Sequence, residues 1–491
     1  MKPLLIGIDA GTSALKAVLV TGDGKVLAKS EQRYSLTYPA AGYVQQRAQD
    51  WWLALVAAVR EVTRDINPDW VRALGLSTQG GTLQPVDAEG RELCPAISWM
   101  DTRAASQQAE VTERIGAERM RDLTGWNLCG GLNALQILWL QQNRPELFHS
   151  TAKFLSVPGY LTLRLTGRAA VDRSNAGVEQ LLDVATGRWS EAILSLLTIE
   201  EKNLADLVAA DESVGTLTAE AAQALGLSTK VVVAAGGHDQ YCAALGAGAS
   251  TKRDRLIATG TAWAVVAVTD APLCRDPSGA SVSWHVAPGL WGALLSMDNG
   301  GSSLEWLRSA LKPVSGGTLL SLDQMGRLAA GSPPGADGLT FYPFFSGSEY
   351  PPGFSKAKAS FTGLSLAHDA GHMARAIMEG VACQAVWMLR AFPPAPEGEL
   401  ILTGGASKSA LWTQIIANIA GRPLTLPAIP EAGCLGAAVL GGVAAGVFAT
   451  AAEGATQLSG QRRRVAPDKE QAGYQAVLDR YISGALHMAP V

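Results

Sequence analysis

The chain has 491 residues, of which 47% are hydrophobic and 17% charged, and a formal net charge of −4. That length predicts two large domains, each with enough chain for its own buried core. The near-neutral balance gives no electrostatic case for nucleic acid or an anionic membrane as partner.

The chain opens with IGIDAGTS at 6–13. A β-branched strand over 4–8 delivers Asp9 to a turn in which Gly11 admits close backbone approach, and Thr12, Ser13 and free N–H groups suit an anion. Asp9 repels phosphate directly, but it can hold Mg²⁺ through water, because a hard cation neutralises carboxylate and phosphates together. Lys16 either adds positive charge or points to solvent from the next strand, at 16–21. A third strand at 25–30 follows a turn at Asp23 and Gly24. QDWW at 49–52 opens a helix with Trp52, Val56, Val59 and Val62 at helical spacing. A strand at 71–77 then reaches Gln79, Gly80 and Gly81.

WMDTR at 99–103 sets an aromatic, an acid and a guanidinium close together. Trp99 suits the C–H face of a sugar or polyol while Asp101 or Arg103 ties the loop down. The other reading is a core tryptophan beside a surface ion pair. VVVAAGGHDQ at 231–240 is a buried strand with two glycines and then Asp239. A carboxylate there can accept a proton from an alcohol, or it can N-cap a helix starting at Gln240 or Tyr241. His238 is singled out only by preceding Asp239.

At 246–250 a glycine-rich stretch reads as a hinge or as a helix C-terminus, and it divides a region 1–246 from a region 247–491. The second region restarts the pattern: strands at 255–259 and 264–268 flank ATGTA at 258–262, the counterpart of 6–13, with Gly260 and Thr261 at the turn. Strand, turn and helix recur at 401–419, where Gly404 and Gly405 permit flat approach of an adenine or phosphate and Ser409 offers a hydroxyl. The alternation throughout is α/β.

The six cysteines have no CxxC spacing, so reduced thiols in a cytoplasmic protein are the simplest account. The first strand follows one lysine directly, which leaves no space for a signal peptide. Residues 432–452 carry no charge, but they are rich in Gly and Ala, and a tightly packed buried helix is favoured over a membrane span.

Seven motifs, GIDAGTS (7–13), WMDTR (99–103), GGHDQ (236–240), ATGT (258–261), FYPFFSG (341–347), EGV (379–381) and LTGGA (402–406), occur in an order and spacing that resembles the FGGY carbohydrate kinases over essentially the whole chain. The resemblance implies two ribonuclease H-like, actin-type lobes closing over ATP, Mg²⁺ and a sugar or polyol. Asp239 matches the family's general base and Asp9 its metal-linked carboxylate, with Asp239 also facing the metal. Thr12 and Thr261 match the phosphate turns. Gly301 resembles a glycine lining the nucleotide site, and Gly405 with Ser409 resembles the adenosine-side loop. Gln79, Gly80, Gly81, Trp99 and Gln240 join Asp239 as expected substrate contacts.

Xylulose kinases have a Met-His pair, and glycerol kinases an Arg-Glu pair, where this chain has Gly80 and Gly81. The glycerol kinases' substrate tyrosine falls near Gly130. Glycerol is therefore disfavoured, and the glycines are expected to make room for a longer ketose or polyol, a pentulose such as xylulose leading. Gln240 stands where xylulose kinases have Asn. Two readings from other classes are an actin-like or chaperone-like ATPase clamp and a sugar sensor that has lost catalysis. Apolar helices such as 374–389 suit a core or a homodimer interface equally.

Overall fold

The computed structural model describes residues 2–276, 278–311, 319–429 and 431–488. The first half builds a seven-stranded sheet. Its meander is β1 (Leu4–Ala10), β2 (Ala14–Thr21) and β3 (Val26–Arg33), all antiparallel. The helix α1 (Ala48–Val62) covers one face, and β4 (Val71–Thr78) returns parallel to β1. Two further helices, α2 (Asn133–Asn143) and α3 (Arg173–Val178), lie beyond it in the chain. Then β5 (Val232–Ala234) adds parallel to β4, and α4 (Asp239–Ala247) follows.

The second half repeats this topology. An antiparallel meander of β6 (Arg255–Thr259), β7 (Trp263–Thr269) and β8 (Trp291–Met297) is followed by α5 (Gly301–Ala310). Two parallel additions come next, β9 (Leu400–Gly404) beside β6 and β10 (Leu424–Pro427) beside β9, with α6 (Ala410–Ala420) between them. Helix α7 (Ala432–Ala444) completes the unit. Each lobe therefore has the strand order meander, then two parallel strands, as expected for a pair of ribonuclease H-like lobes.

The period-2 strand cores and the period-3.6 helix faces meet as the sequence directs, with one shift of phase. In α1 the buried side chains are Trp51, Trp52, Leu55, Val59 and Val62, whereas Val56 is only partly buried. The face is centred on Trp51, which is fully enclosed.

Helix α7 does not stay with its own lobe's sheet. It lies across β1 and β4 of the first lobe and against α4, and glycines make that approach feasible. A Cβ on Gly7 would stand 1.8 Å from the carbonyl oxygen of Cys434, and one on Gly75 would stand 1.8 Å from that of Ala437. Likewise Gly246 packs on the Ala432 carbonyl and Gly436 on that of Cys242. Backbone meets backbone at these points, so no side chain can be substituted without moving a helix. The uncharged stretch is thus a short packed helix, and among the described residues no helix is long and apolar enough to cross a membrane. Of the two readings for 246–250, the helix C-terminus is what forms: α4 ends at Ala247 and Gly248, at φ +97°, caps it. The six cysteines are all free.

Two of the sequence motifs are packing devices. The Gly380 of EGV abuts the Phe341 carbonyl of FYPFF, where a Cβ would come within 2.0 Å. Glu379 accepts from Arg375 at 2.7 Å and from the Tyr474 hydroxyl at 3.0 Å inside the same core.

Candidate active site

Each lobe presents one tight turn between the first two strands of its meander. In the first, the Gly11 N–H donates to the Ala14 carbonyl at 3.0 Å; in the second, the Gly260 N–H donates to the Ala262 carbonyl at 3.0 Å. These closures leave Thr12 half-exposed and Ser13, Gly260 and Thr261 exposed. The Tyr34 hydroxyl donates to the Gly11 carbonyl at 2.5 Å, and the Gln46 amide donates to the Thr12 carbonyl at 2.6 Å. The first turn is therefore braced from outside its own hairpin.

The second turn is stitched to the start of α5. Gly301 N–H donates to Gly260 O at 3.1 Å and Ser302 N–H to Thr261 O at 3.2 Å. A Cβ at Gly301 would sit 2.4 Å from Gly260 O, so glycine is required there. On the other flank, Gly404 takes φ +87° against the Thr259 carbonyl, and Gly405 N–H donates to that carbonyl at 2.7 Å. Gly260, Thr261, Gly301, Gly404 and Gly405 are thereby gathered at one end of the second sheet, next to a helix N-terminus whose partial positive charge favours an anion. Ser409 is the N-cap of α6 and accepts from the Trp412 N–H at 3.2 Å, which leaves its own O–H free to donate.

Asp9 is on β1, paired with Lys16 across β2 and with Ser77 across β4. The Ser77 hydroxyl donates to its Oδ1 at 2.7 Å. The start of α7 presses on the other side, since a Cβ at Gly433 would lie 3.0 Å from the Asp9 carboxyl carbon. Desolvation and then the charge of Asp239 push Asp9 up to about 6, against the opposing pull of Ser77 and Lys16. Lys16 itself is exposed, and it acts on the site through its charge.

Asp239 is the first residue of α4. The N-cap position belongs to His238, so the capping alternative for Asp239 is displaced by one residue. Desolvation raises Asp239 to about 6, opposed by the backbone and side chain of Gln240. Its side chain keeps 31% exposure, which leaves it reachable. His238 Nε2 lies 3.3 Å from Asp239 Oδ1. Burial pushes His238 down to about 4, so it stands beside the carboxylate as a neutral imidazole.

The Gly80–Gly81 turn does not open the space expected of it. A Cβ on Gly80 would be 2.7 Å from Val178 Cγ1 and 2.9 Å from His238 Cδ2. Gly81 has φ +72°, and its Cβ would be 2.5 Å from Leu132 Cδ2. At Gly130 the backbone of Ala105 is as close as 2.8 Å. The space next to each Cα, where a side chain would begin, is taken by Val178, His238 and Leu132, and of these only His238 lies in a sequence motif.

Trp99 remains 45% exposed beside Gly81, and its indole N–H donates to Thr12 Oγ1 at 3.0 Å. The following ion pair is buried rather than superficial. Arg103 makes two bonds to Asp101, at 2.8 and 2.7 Å, under the ring of Tyr43, while the Val44 N–H donates to Asp101 at 2.6 Å. Gln79 is buried and donates to Gln46 at 2.9 Å, which links the substrate turn to the phosphate turn. Gln240 is half-buried next to Asp239. Ser77, Tyr34 and Gln46 complete the site through strand register and tertiary contacts, for which the linear sequence carries no motif.

This geometry agrees with what the chain resembles. The model of the FGGY family of carbohydrate kinases, N-terminal domain, matches residues 4–246, and that of the C-terminal domain matches 256–445. The xylulose kinase of Escherichia coli (strain K12) is 31% identical over 478 residues, covering 96% of this chain and 96% of that one. A gluconokinase of Bacillus subtilis (strain 168) is 26% identical over 454 residues, covering 91% and 88%. The crystal structure of a xylulose kinase from Rhodospirillum rubrum superposes with a TM-score of 0.87 at 28% identity, over 99% of both chains. With two-lobed fold, paired turns and whole-length similarity in agreement, the chain belongs to the FGGY family of carbohydrate kinases.

Proposed function

We propose that this carbohydrate kinase transfers the terminal phosphoryl group of ATP to a terminal hydroxyl of a pentulose such as xylulose, with Asp239 as general base. The observation that carries this reading is the pairing of Asp9 and Asp239. Both carboxylates are held above their ordinary range, Asp9 in part by the charge of Asp239; one is next to last in the strand that enters the phosphate turn and the other starts α4. The substrate hydroxyl gives its proton to Asp239 as its oxygen attacks the phosphorus, and ADP departs. A carboxylate displaced upward to about 6 is a stronger base than an ordinary aspartate and is still ionised at neutral pH.

Mg²⁺ fits this donor set. Among the described residues no three His, Cys, Asp or Glu side chains cluster as a metal cage, and a cation carried mainly by nucleotide phosphates needs only Asp9 and Asp239 nearby. When bound, it supplies neutralisation of the phosphate charge. The chain's own groups do the rest. Thr12, Ser13 and the turn N–H groups of both lobes hold phosphate oxygens, the surface of Gly404 and Gly405 receives the nucleoside, and Trp99 lies flat against the sugar. Closure of the lobes excludes water, which would otherwise take the phosphoryl group.

The 31% identical xylulose kinase supports a pentulose first, and the gluconokinase relative makes a six-carbon sugar acid the competing substrate. The test is sugar-dependent ADP release from Mg-ATP across pentuloses, hexuloses, polyols and gluconate, run beside Asp239→Asn. A sugar that stimulates the wild type and leaves the variant at background supports the reaction and its base. No stimulation by any of them refutes the reading.

A further inference from the structure

In the first phosphate turn three successive carbonyls have donors from outside the β1–β2 hairpin. The Tyr34 hydroxyl donates to Gly11 O at 2.5 Å, the Gln46 amide to Thr12 O at 2.6 Å and the Tyr34 N–H to Ser13 O at 3.1 Å. Among the described residues the N–H groups of Thr12 and Ser13 have no protein acceptor. The carbonyl side of this turn is thus engaged and its N–H side is open.

The peptide plane connects these two facts. In a trans peptide the C=O of one residue and the N–H of the next point in opposite directions. Holding Gly11 O outward therefore turns the Thr12 N–H inward, and holding Thr12 O outward does the same for the Ser13 N–H. Gly11 has no Cβ, so without a brace its peptide is free to flip. A flipped peptide would present a carbonyl oxygen to an anion in place of a donor, and successive inward N–H groups are what an anion-binding concavity requires.

The second lobe reaches the same arrangement by other means. Gly260 O accepts from the Gly301 N–H at 3.1 Å and Thr261 O from the Ser302 N–H at 3.2 Å, which leaves the N–H groups of Thr261 and Ala262 without an acceptor among the described residues. There the backbone at the start of α5 braces the turn. In the first lobe the braces at Gly11 and Thr12 are side chains, and these can be removed without altering the course of the chain.

Gln46 is well fixed for this task. It is 1% exposed and belongs to a short antiparallel pair of Gln45–Gln46 with Ala96–Ile97. Its Oε1 accepts from Gln79 Nε2 at 2.9 Å, so the nitrogen is the end presented to Thr12.

Resting on the kinase reading above, we infer that Tyr34 and Gln46 are positioning residues for ATP: they hold the carbonyls of Gly11 and Thr12 outward and so aim the N–H groups of Thr12 and Ser13 at a phosphate group. Neither side chain touches the nucleotide.

The test measures the affinities of ATP, with Mg²⁺, and of adenosine by calorimetry in the absence of sugar, for the wild type, Tyr34→Phe, Gln46→Met and Gln46→His. Tyr34→Phe and Gln46→Met should each weaken ATP by about five- to tenfold, the scale of one lost hydrogen bond. Adenosine, which has no phosphate, should stay within about twofold, a split that a general loss of structure does not give. Gln46→His keeps an N–H donor at similar reach and should restore ATP to within about threefold of the wild type. Should Gln46→Met fail to fold, Tyr34→Phe, which deletes a single oxygen, decides alone. A folded variant of either kind that binds ATP as tightly as the wild type, or that loses ATP and adenosine alike, overturns the inference. The kinase reading fails separately, by a wild type that does not bind ATP or releases no ADP with any sugar.

Discussion

The indole N–H of Trp99 donates to the Thr12 hydroxyl at 3.0 Å, across 87 positions of chain. The residue expected to face the sugar is thus bonded to the residue expected to face phosphate, and Thr12's own O–H remains free to donate elsewhere. Trp99→Phe keeps the ring and removes the link. A neutral hydrogen bond of about 1 kcal/mol corresponds to about a fivefold fall in kcat/KM for ATP, and steady-state kinetics with varied ATP measure it. Trp99→Ala should add a rise in sugar KM; if it alters ATP kinetics alone, the ring does not touch the sugar.

Asp239→Asn keeps the shape of the first turn of α4 and removes the base. Loss of kcat by about 10²–10⁴-fold is expected, with ADP affinity kept within about twofold, as read by calorimetry beside turnover. Retained turnover would transfer the role of base to another group.

The pH profile carries its own sign. The base works deprotonated, so kcat/KM should be flat above about pH 6 and fall as pH drops through it. Asp9 is raised to about 6 by desolvation and by the Asp239 charge, so the limb belongs to the pair and should be steeper than one tenfold step per unit. A profile flat down to pH 5 would contradict the coupling of the two carboxylates.

Gly81 combines φ +72° with Leu132 Cδ2 at 2.5 Å from a would-be Cβ. Gly81→Ala is therefore a stability variant before it is a specificity variant. Backbone strain and overpacking together come to about 2–4 kcal/mol, visible as a lower denaturation midpoint. Adding Leu132→Ala should recover the packing share only. A Gly81→Ala enzyme as stable as the wild type would show that the turn can rearrange.

Stability should also depend on pH through Glu179. Its folded value of about 8 lies above the ordinary 4.5, so the folded state binds the extra proton between those values. Its contribution is fully present below pH 4.5 and is lost as pH rises through about 8. Denaturant titrations at pH 5 and pH 8 should show a smaller drop for Glu179→Gln than for the wild type. Equal drops would place the pH dependence elsewhere.

Much of this protein was legible in the linear sequence because its information is local. A glycine turn after a β-branched strand dictates its own geometry, so IGIDAGTS and ATGTA declared the repeated meanders, and GGHDQ placed Asp239 at a helix start. The uncharged 432–452 stretch announced a packed helix through its small residues. Membership of the carbohydrate kinase family leaves the ATPase-clamp reading without support. What tertiary structure alone decided is how space is filled between segments that carry no local signal of each other: α7 crossing to the other lobe's sheet, and the Asp101–Arg103 pair sunk beneath Tyr43. The clearest case is Gly80 and Gly81. Absent side chains suggested a larger pocket, yet Val178, His238 and Leu132, distant in sequence, take the space next to each Cα. A sequence states which side chain is missing at a position; only close packing among remote segments determines whether the gap stays open.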